Sequence, residues 1–355
     1  MKPLFLFYIL VIFVVSPTYA ICEIEVDNVQ TLYINGMFTN TEDAKVNSNN
    51  IEVFIRERLP FFEPHTHLLH NKSESLLKQI FEVIRQKYED RQSSKAIIEF
   101  INNDPEFLDD VVSHEKVQEF LREIKHMYQY SANDADGKAL INKAESLLDN
   151  CGRLIMITHS QGNFYGNMAL NHIYSDYRFR NGYSIHEYPM LGNMQIASPV
   201  DVPGGAIARI YPNIIGHITN KNDLIMSLVR NTVGSVAANY ESDPIRGDWT
   251  GHGLELSYIG SEGQGLYIMH ALNNIAENMI PYPMHQQETN FSSTAISGYG
   301  YSLLNYYLDI QFTDNSVYRY SEVPPETAEW LTGAEAKGAY FNTSIRNKYS
   351  YQKLE

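Results

Sequence analysis

Cysteine is nearly absent from this 355-residue chain, which holds two, Cys22 and Cys151. That excludes a disulfide-dense scaffold and leaves room for one bridge at most. Basic residues are also scarce: 27 Lys and Arg stand against 42 Asp and Glu, a net charge of −15. A surface of that sign repels phosphate backbones, so nucleic-acid binding by the whole protein is not expected. Low-complexity and strongly polar tracts are missing too, which argues against disorder. The one long apolar run, Leu4–Val15, is short for a membrane span. It follows Lys2 and precedes Ser16-Pro17-Thr18-Tyr19-Ala20, the pattern of a secretory signal over residues 1–20 with cleavage after Ala20. The expected location is therefore secreted or periplasmic, with no stable membrane span after cleavage. Losing Lys2 leaves 26 basic and 42 acidic residues, or −16.

What the chain does have is apolar mass, 44% of residues, and 25 tyrosines. Tyrosine buries a ring while keeping a polar end, which suits clefts and wet interfaces. Val29–Ile34 runs into Asn35-Gly36 as a strand and turn, and Glu63–His70 reads as a second short strand. Ser73–Gln92 reads as a helix, with Leu76, Leu77, Ile80, Phe81 and Ile84 on one face. An apolar stripe from Val111 to Met127 and a helix over Asp136–Leu148 complete a largely helical insertion. Arg153–Thr158 is continuously apolar after its first residue, as a central parallel strand covered on both faces should be. A helix over Asn163–Ile173 and strands near Met190–Ala197 and Asn213–Thr219 follow. This alternation predicts a mostly parallel α/β sheet. Cys22 and Cys151 both precede strands; if those strands are parallel neighbours, the two thiols could pair, and unpaired thiols remain the alternative. The pattern weakens over 286–297, read as a linker. Leu303–Phe312 and Ser316–Tyr320 then suggest a hairpin, followed by a helix over Pro325–Ala336, a small α+β unit.

The chemistry concentrates at Thr158-His159-Ser160-Gln161-Gly162, where strand gives way to helix. A serine on such a turn is lifted out of the sheet with its hydroxyl exposed, and small residues are wanted two places on either side. The helix start beyond it supplies backbone N–H groups and a positive dipole end, which stabilise an oxyanion. An N-cap serine would look similar. The segment resembles the α/β-hydrolase superfamily, most closely lipase- and esterase-like members with a His-Ser-x-Gly elbow. It departs from that pattern at Thr158, where the family has glycine.

The resemblance implies an α/β-hydrolase domain over 21–285 and the chain order serine, acid, histidine. Ser160 would be the nucleophile. Asp223, beyond the strand at Asn213–Thr219, would be the acid, with Asp201 as rival. His252, in Gly251-His252-Gly253, would be the base, with His217 and His270 as rivals. The oxyanion donors implied are the backbone N–H groups of Gln161 and of Gly36 or Met37. The activity implied is hydrolysis of a small-molecule or lipid ester, with no cofactor. His65, His67 and His70 cluster, but no cysteine or carboxylate pattern completes a metal site, and none is expected.

Tyr306–Leu354 resembles the KTSC domain. The matching segments are Leu308–Phe312, Tyr318-Arg319-Tyr320, Val323-Pro324, Ala336-Lys337-Gly338, Tyr340-Phe341-Asn342 and Ile345–Tyr349. The domain expected is 298–355. RNA binding has been suggested for that family, but export and acidity oppose it here. The tyrosines read as packing residues and the cations as a solvated face. The alternative to an enzyme is an inactive hydrolase-fold binding protein whose KTSC-like unit engages a protein partner.

Overall fold

The computed structural model describes residues 27–35, 41–70, 135–150, 152–179, 182–243, 245–248, 250–283 and 293–354. The expected signal over residues 1–20, Gly36, Met37, Cys22, Cys151, the expected helix Ser73–Gln92 and the Val111–Met127 stripe lie outside these residues.

Five strands build the first sheet: β1 (Val29–Ile34), β2 (Phe62–Leu69), β3 (Arg153–His159), β4 (Leu191–Ile196) and β5 (Ile215–Ile218). Their order is β2-β1-β3-β4-β5 and every neighbouring pair is parallel. All residues of β1, β3 and β4 are buried, and the apolar run Leu154–Ile157 of β3 reflects its cover on both faces. The edge strand β2 alternates more loosely and tolerates Pro64, whose missing N–H costs nothing at a sheet edge.

Helices cover both faces. Among the described residues these are α1 (Thr41–Arg58), α2 (Ala135–Leu148), α3 (Gly162–Asp176), α4 (Ile207–Ile210), α5 (Leu224–Val233) and α6 (Glu262–Asn278). Gly166 of α3 sits against Thr158 and Asn193 on one face. Gly192 of β4 meets Ile275 of α6 on the other. The chain thus winds in both directions from the centre of the sheet, and the topological switch point lies beyond the strand ends between β1 and β3. Asn35 and Ser160 follow those two strands directly.

Helix α1 is absent from the sequence reading. Its buried positions, Ala44, Ser48, Ile51, Phe54 and Ile55, are interrupted by the polar run Asn47–Asn50, which blurs the apolar period.

The C-terminal unit is an antiparallel sheet of β6 (Ile296–Ser302), β7 (Tyr307–Phe312), β8 (Val317–Tyr320) and β9 (Tyr351–Lys353), in that order. Helices α7 (Pro325–Gly333) and α8 (Lys337–Ser344) pack on it around Leu308, Ile310, Leu331, Phe341 and Ile345. The expected hairpin is therefore part of a four-stranded sheet. Strand β6 begins inside the stretch read as a linker, because the polar residues before Ile296 hide where the strand starts. The helix expected over Pro325–Ala336 ends at Gly333, and a second helix, Lys337–Ser344, follows it.

This unit docks at the N-terminal end of the first sheet. Arg153, the first residue of β3, is fully buried and donates to Asp27 at 3.3 Å, to Ser302 at 3.1 Å and to Asn305. Arg319 grips Asp309 through two 2.7 Å hydrogen bonds and donates to the Pro281 carbonyl at 2.8 Å. Both members of that pair are buried, so removing one strands the other's charge. Arg319→Ala is expected to cost about 3–5 kcal/mol, read as a fall in Tm, while the Ser160 region keeps its geometry. An unchanged Tm would show that the pair does not hold the unit in place.

Candidate active site

Ser160 takes φ +53°, a left-handed conformation that costs a non-glycine residue about 1–2 kcal/mol. Its surroundings hold it there. The Ser160 N–H donates to the Ile196 carbonyl at 3.0 Å. The Asn163 amide donates to the carbonyls of Ser160 at 2.8 Å, Ile196 at 3.0 Å and Ala197 at 3.4 Å. Gly162 is required by close approach: a Cβ there would lie 2.6 Å from the Ile34 carbonyl oxygen and 2.8 Å from that of Asn35. Thr158 fits because the space was made elsewhere. Its methyl occupies the room a side chain on Gly166 would need, at 2.9 Å, and its hydroxyl donates to Asn163 Oδ1 at 2.5 Å.

Two other segments converge on the Ser160 hydroxyl. Asp223 caps α5, its Oδ1 accepting the Met226 N–H at 2.9 Å. Its Oδ2 lies 2.8 Å from His252 Nδ1, and His252 Nε2 lies 3.0 Å from Ser160 Oγ. With the Nδ1 proton directed at the carboxylate, Nε2 is left to accept the serine proton. The two glycines beside His252 have distinct reasons. Gly251 has φ +66° and packs on the Asn222 carbonyl. Gly253 lies where a Cβ would come within 2.7 Å of Asp248 Oδ2.

Of the rivals, Asp201 is exposed and His270 lies on α6, while His217 lies on β5 with its basicity pushed down by burial. None of them joins this chain of contacts. Gln161 is the residue directly before α3, at its N-terminal end; Gly36 and Met37 fall outside the described residues. Among the described residues no group of three or more His, Cys, Asp or Glu could hold a metal ion. His65 pairs with Glu52 at 3.2 Å, and His70 lies 3.5 Å from the Thr41 hydroxyl.

One expectation fails. Ser160 has no exposed surface, and His252 is 4% exposed. The turn raises the serine from the sheet, but the surrounding chain encloses it.

Two residues of the site, Tyr258 and Asp248, were not singled out in the sequence, and a third, His159, was read only as part of the elbow. Tyr258 donates to Asp223 Oδ2 at 2.8 Å. Asp248 anchors the His252 loop. His159 lies with its ring centroid 4.9 Å from that of His252, and its Nε2 meets the His252 carbonyl at 3.0 Å. Burial, then the neighbouring His252, holds His159 well below the usual histidine range, so it stays neutral. Burial, then Lys143 and His65, pushes His67 down to about 4. A histidine that resists protonation only in the native state makes the unfolded chain bind more protons as pH falls. Stability is therefore lost on acidification from about 6.5 downward. Tm should drop on the order of 5 °C between pH 7.5 and 5, chiefly through the buried His159, since His67 is only part-buried, and a flat profile would overturn the assignment of a neutral imidazole at His159.

A doubly wound parallel α/β unit with a serine, a histidine and an aspartate in hydrogen-bonded series at its switch point thus carries a small antiparallel unit behind it. Residues 292–349 match the KTSC domain model. A solved KTSC domain protein from Yersinia pestis is 30% identical over 20% of this chain and 97% of its own, with a TM-score of 0.19. The domain-model match over residues 292–349 places the C-terminal unit of the chain in the KTSC family. Lysine–tRNA ligases from Nostoc punctiforme and Trichormus variabilis are 32% identical over 77 residues and 26% over 153 residues. Those matches span 22% and 42% of this chain but 13% and 26% of the ligases. An uncharacterized protein from Stutzerimonas stutzeri is 30% identical over 18% of this chain and 90% of its own. The KTSC match lies outside the Ser160 site. No helix of the described residues is long and apolar enough to cross a membrane.

Proposed function

We propose that the protein is an exported serine hydrolase of the α/β-hydrolase type, cleaving a small-molecule or lipid ester without a cofactor. The observation that carries this reading is the unbroken series Ser160 Oγ, His252 Nε2, His252 Nδ1, Asp223 Oδ2, with steps of 3.0 and 2.8 Å. Ser160 attacks the ester carbonyl carbon while His252 Nε2 takes its proton, and the carbonyl oxygen becomes an oxyanion beside the start of α3. The carbon–oxygen bond to the leaving alcohol then breaks, and His252 returns the proton to that alcohol. Water repeats the sequence on the acyl-enzyme and frees the acid and Ser160. Asp223 holds the imidazole in the required tautomer throughout.

The enclosure of Ser160 favours a second reading, a hydrolase-fold binding protein that has lost access to its own nucleophile. A fluorophosphonate probe separates the two. The first predicts a covalent adduct on Ser160, located by mass spectrometry and absent when the protein is denatured before the probe is added; the second predicts no adduct in the folded protein. The KTSC unit sits at the N-terminal end of β3, about 20 Å from Ser160 at roughly 3.3 Å per strand residue. It is therefore a brace or a separate contact surface rather than a cover for this site.

A further inference from the structure

The segment Asp248–Ile259 delivers more to the site than its histidine. Asp248 accepts four hydrogen bonds, from the Thr250 N–H at 3.2 Å and hydroxyl at 2.7 Å, the Gly253 N–H at 2.6 Å and the Ser257 hydroxyl at 2.6 Å. The first three pin the loop on either side of His252. The fourth ties that loop to a short π-helical turn, Leu254–Ile259. Such wide turns are uncommon and cluster at functional sites. Here the turn sends Ser257 back to Asp248 and the next side chain, Tyr258, to Asp223. The Tyr258 hydroxyl also accepts the Asn220 N–H at 3.3 Å, so it is fixed from the strand side as well. His252 and Tyr258 thereby reach the same carboxylate oxygen, each at 2.8 Å.

We propose that Tyr258 is a positioning residue completing a four-membered series, Ser160–His252–Asp223–Tyr258, and that Asp248 locks the segment that presents both His252 and Tyr258 to Asp223. The kinetic part rests on the hydrolase reading; the structural and spectroscopic part does not. The phenol places the positive end of its dipole on Asp223 and partly spends that carboxylate's field. Asp248 adds a second negative charge near the imidazole. Burial raises the Asp248 carboxyl, but bonds from Ser257, Thr250 and Gly253 and the field of His252 outweigh it and keep it lowered, hence ionised. Tyr258 is fully buried, and burial, then Asp223, holds its phenol well above the usual range, so it remains a donor. The other groups facing this centre are His159, held neutral, and Arg230 of α5, which lies within the field of Asp223 and whose guanidinium is lowered by burial.

The two groups should therefore move the imidazole in opposite directions. Removing the phenolic hydroxyl frees the Asp223 field and favours the imidazolium; removing the Asp248 charge disfavours it. The test titrates the His252 ring by NMR in the full-length protein, assigned from a His252→Gln spectrum, beside the pH profile of kcat/KM. Tyr258→Phe should raise the midpoint and the acidic limb by about half a unit, and Asp248→Asn should lower both by a similar amount. Each should reduce kcat about three- to tenfold with little change in KM. Midpoints that stay fixed, or move together, overturn the proposal. If either variant fails to fold, 3-fluorotyrosine at position 258 keeps the test alive: a more acidic phenol donates more strongly and should lower the midpoint. Opposed midpoint shifts in a protein without hydrolysis would keep this inference and end the functional reading. Fixed midpoints in an active hydrolase would do the reverse.

Discussion

Ser160→Ala is expected to abolish turnover of a chromogenic ester, with kcat falling on the order of 10⁴- to 10⁶-fold, while the protein stays folded. The two halves of that expectation come from different atoms. Chemistry needs the Oγ, which faces His252 Nε2 at 3.0 Å. The fold needs the backbone: the Ser160 N–H is held by Ile196, and its carbonyl accepts from the side chain and N–H of Asn163. Alanine keeps those contacts and keeps the φ of +53° with no relief of strain. Its Tm should stay within a few degrees of the parent. Ser160→Gly separates the contributions further, since glycine accepts that conformation freely and should be inactive yet no less stable. Circular dichroism and intact-mass labelling accompany the assay. Full turnover in the alanine variant would overturn the assignment of the nucleophile. A wild-type protein that neither turns over an ester nor takes up the probe would favour the enclosed binding protein instead.

The parts of this site that could be read in the sequence are those where one residue type answers a local demand. His159-Ser160-Gln161-Gly162 stands at a strand-to-helix junction, and Gly162 is glycine because β1 passes within van der Waals reach. Gly251 and Gly253 mark a loop with special backbone needs, though not the separate partners that impose them. What could not be read depends on residues far apart in sequence. The tolerance of Thr158 lies in Gly166, eight residues on and one helical turn up. Tyr258 reaches Asp223 across 35 positions, and only a π-helical turn, which has no apolar period of its own, aims it there. The enclosure of Ser160 was equally illegible, because exposure is a property of what packs above a turn. The C-terminal unit behaves the same way. Its motif identifies the family, but Arg153, which reads as the odd charge at the start of an apolar strand, proves to be the socket for Ser302 and Asn305 some 150 residues later.

The choice of acid gives the second large effect. Asp223→Asn should lower kcat about 10³- to 10⁴-fold with KM nearly unchanged, and Asp201→Asn should leave both within about twofold. Three donors converge on the Asp223 carboxylate: the Met226 N–H on Oδ1, and His252 Nδ1 and the Tyr258 hydroxyl on Oδ2. An amide offers one acceptor oxygen and one NH₂. If its oxygen keeps the Met226 contact, the NH₂ faces His252 Nδ1, which must then accept. The ring proton moves to Nε2, and the serine has no base. If the amide turns over, the NH₂ confronts the Met226 N–H, the helix loses its cap bond, and the oxygen must serve both His252 and Tyr258 without a full charge. Neither arrangement restores the carboxylate. Because asparagine is itself a good N-cap, the stability loss should stay near 1 kcal/mol, so the kinetic loss will not be a folding artefact. Asp201 lies exposed on the loop after β4, and the two ring nitrogens of His252 face Asp223 and Ser160, which is why the Asp201 amide variant should be silent. Comparable losses in the two variants, or a fast Asp223→Asn enzyme, would remove Asp223 from the series and with it the oxygen on which His252 and Tyr258 meet.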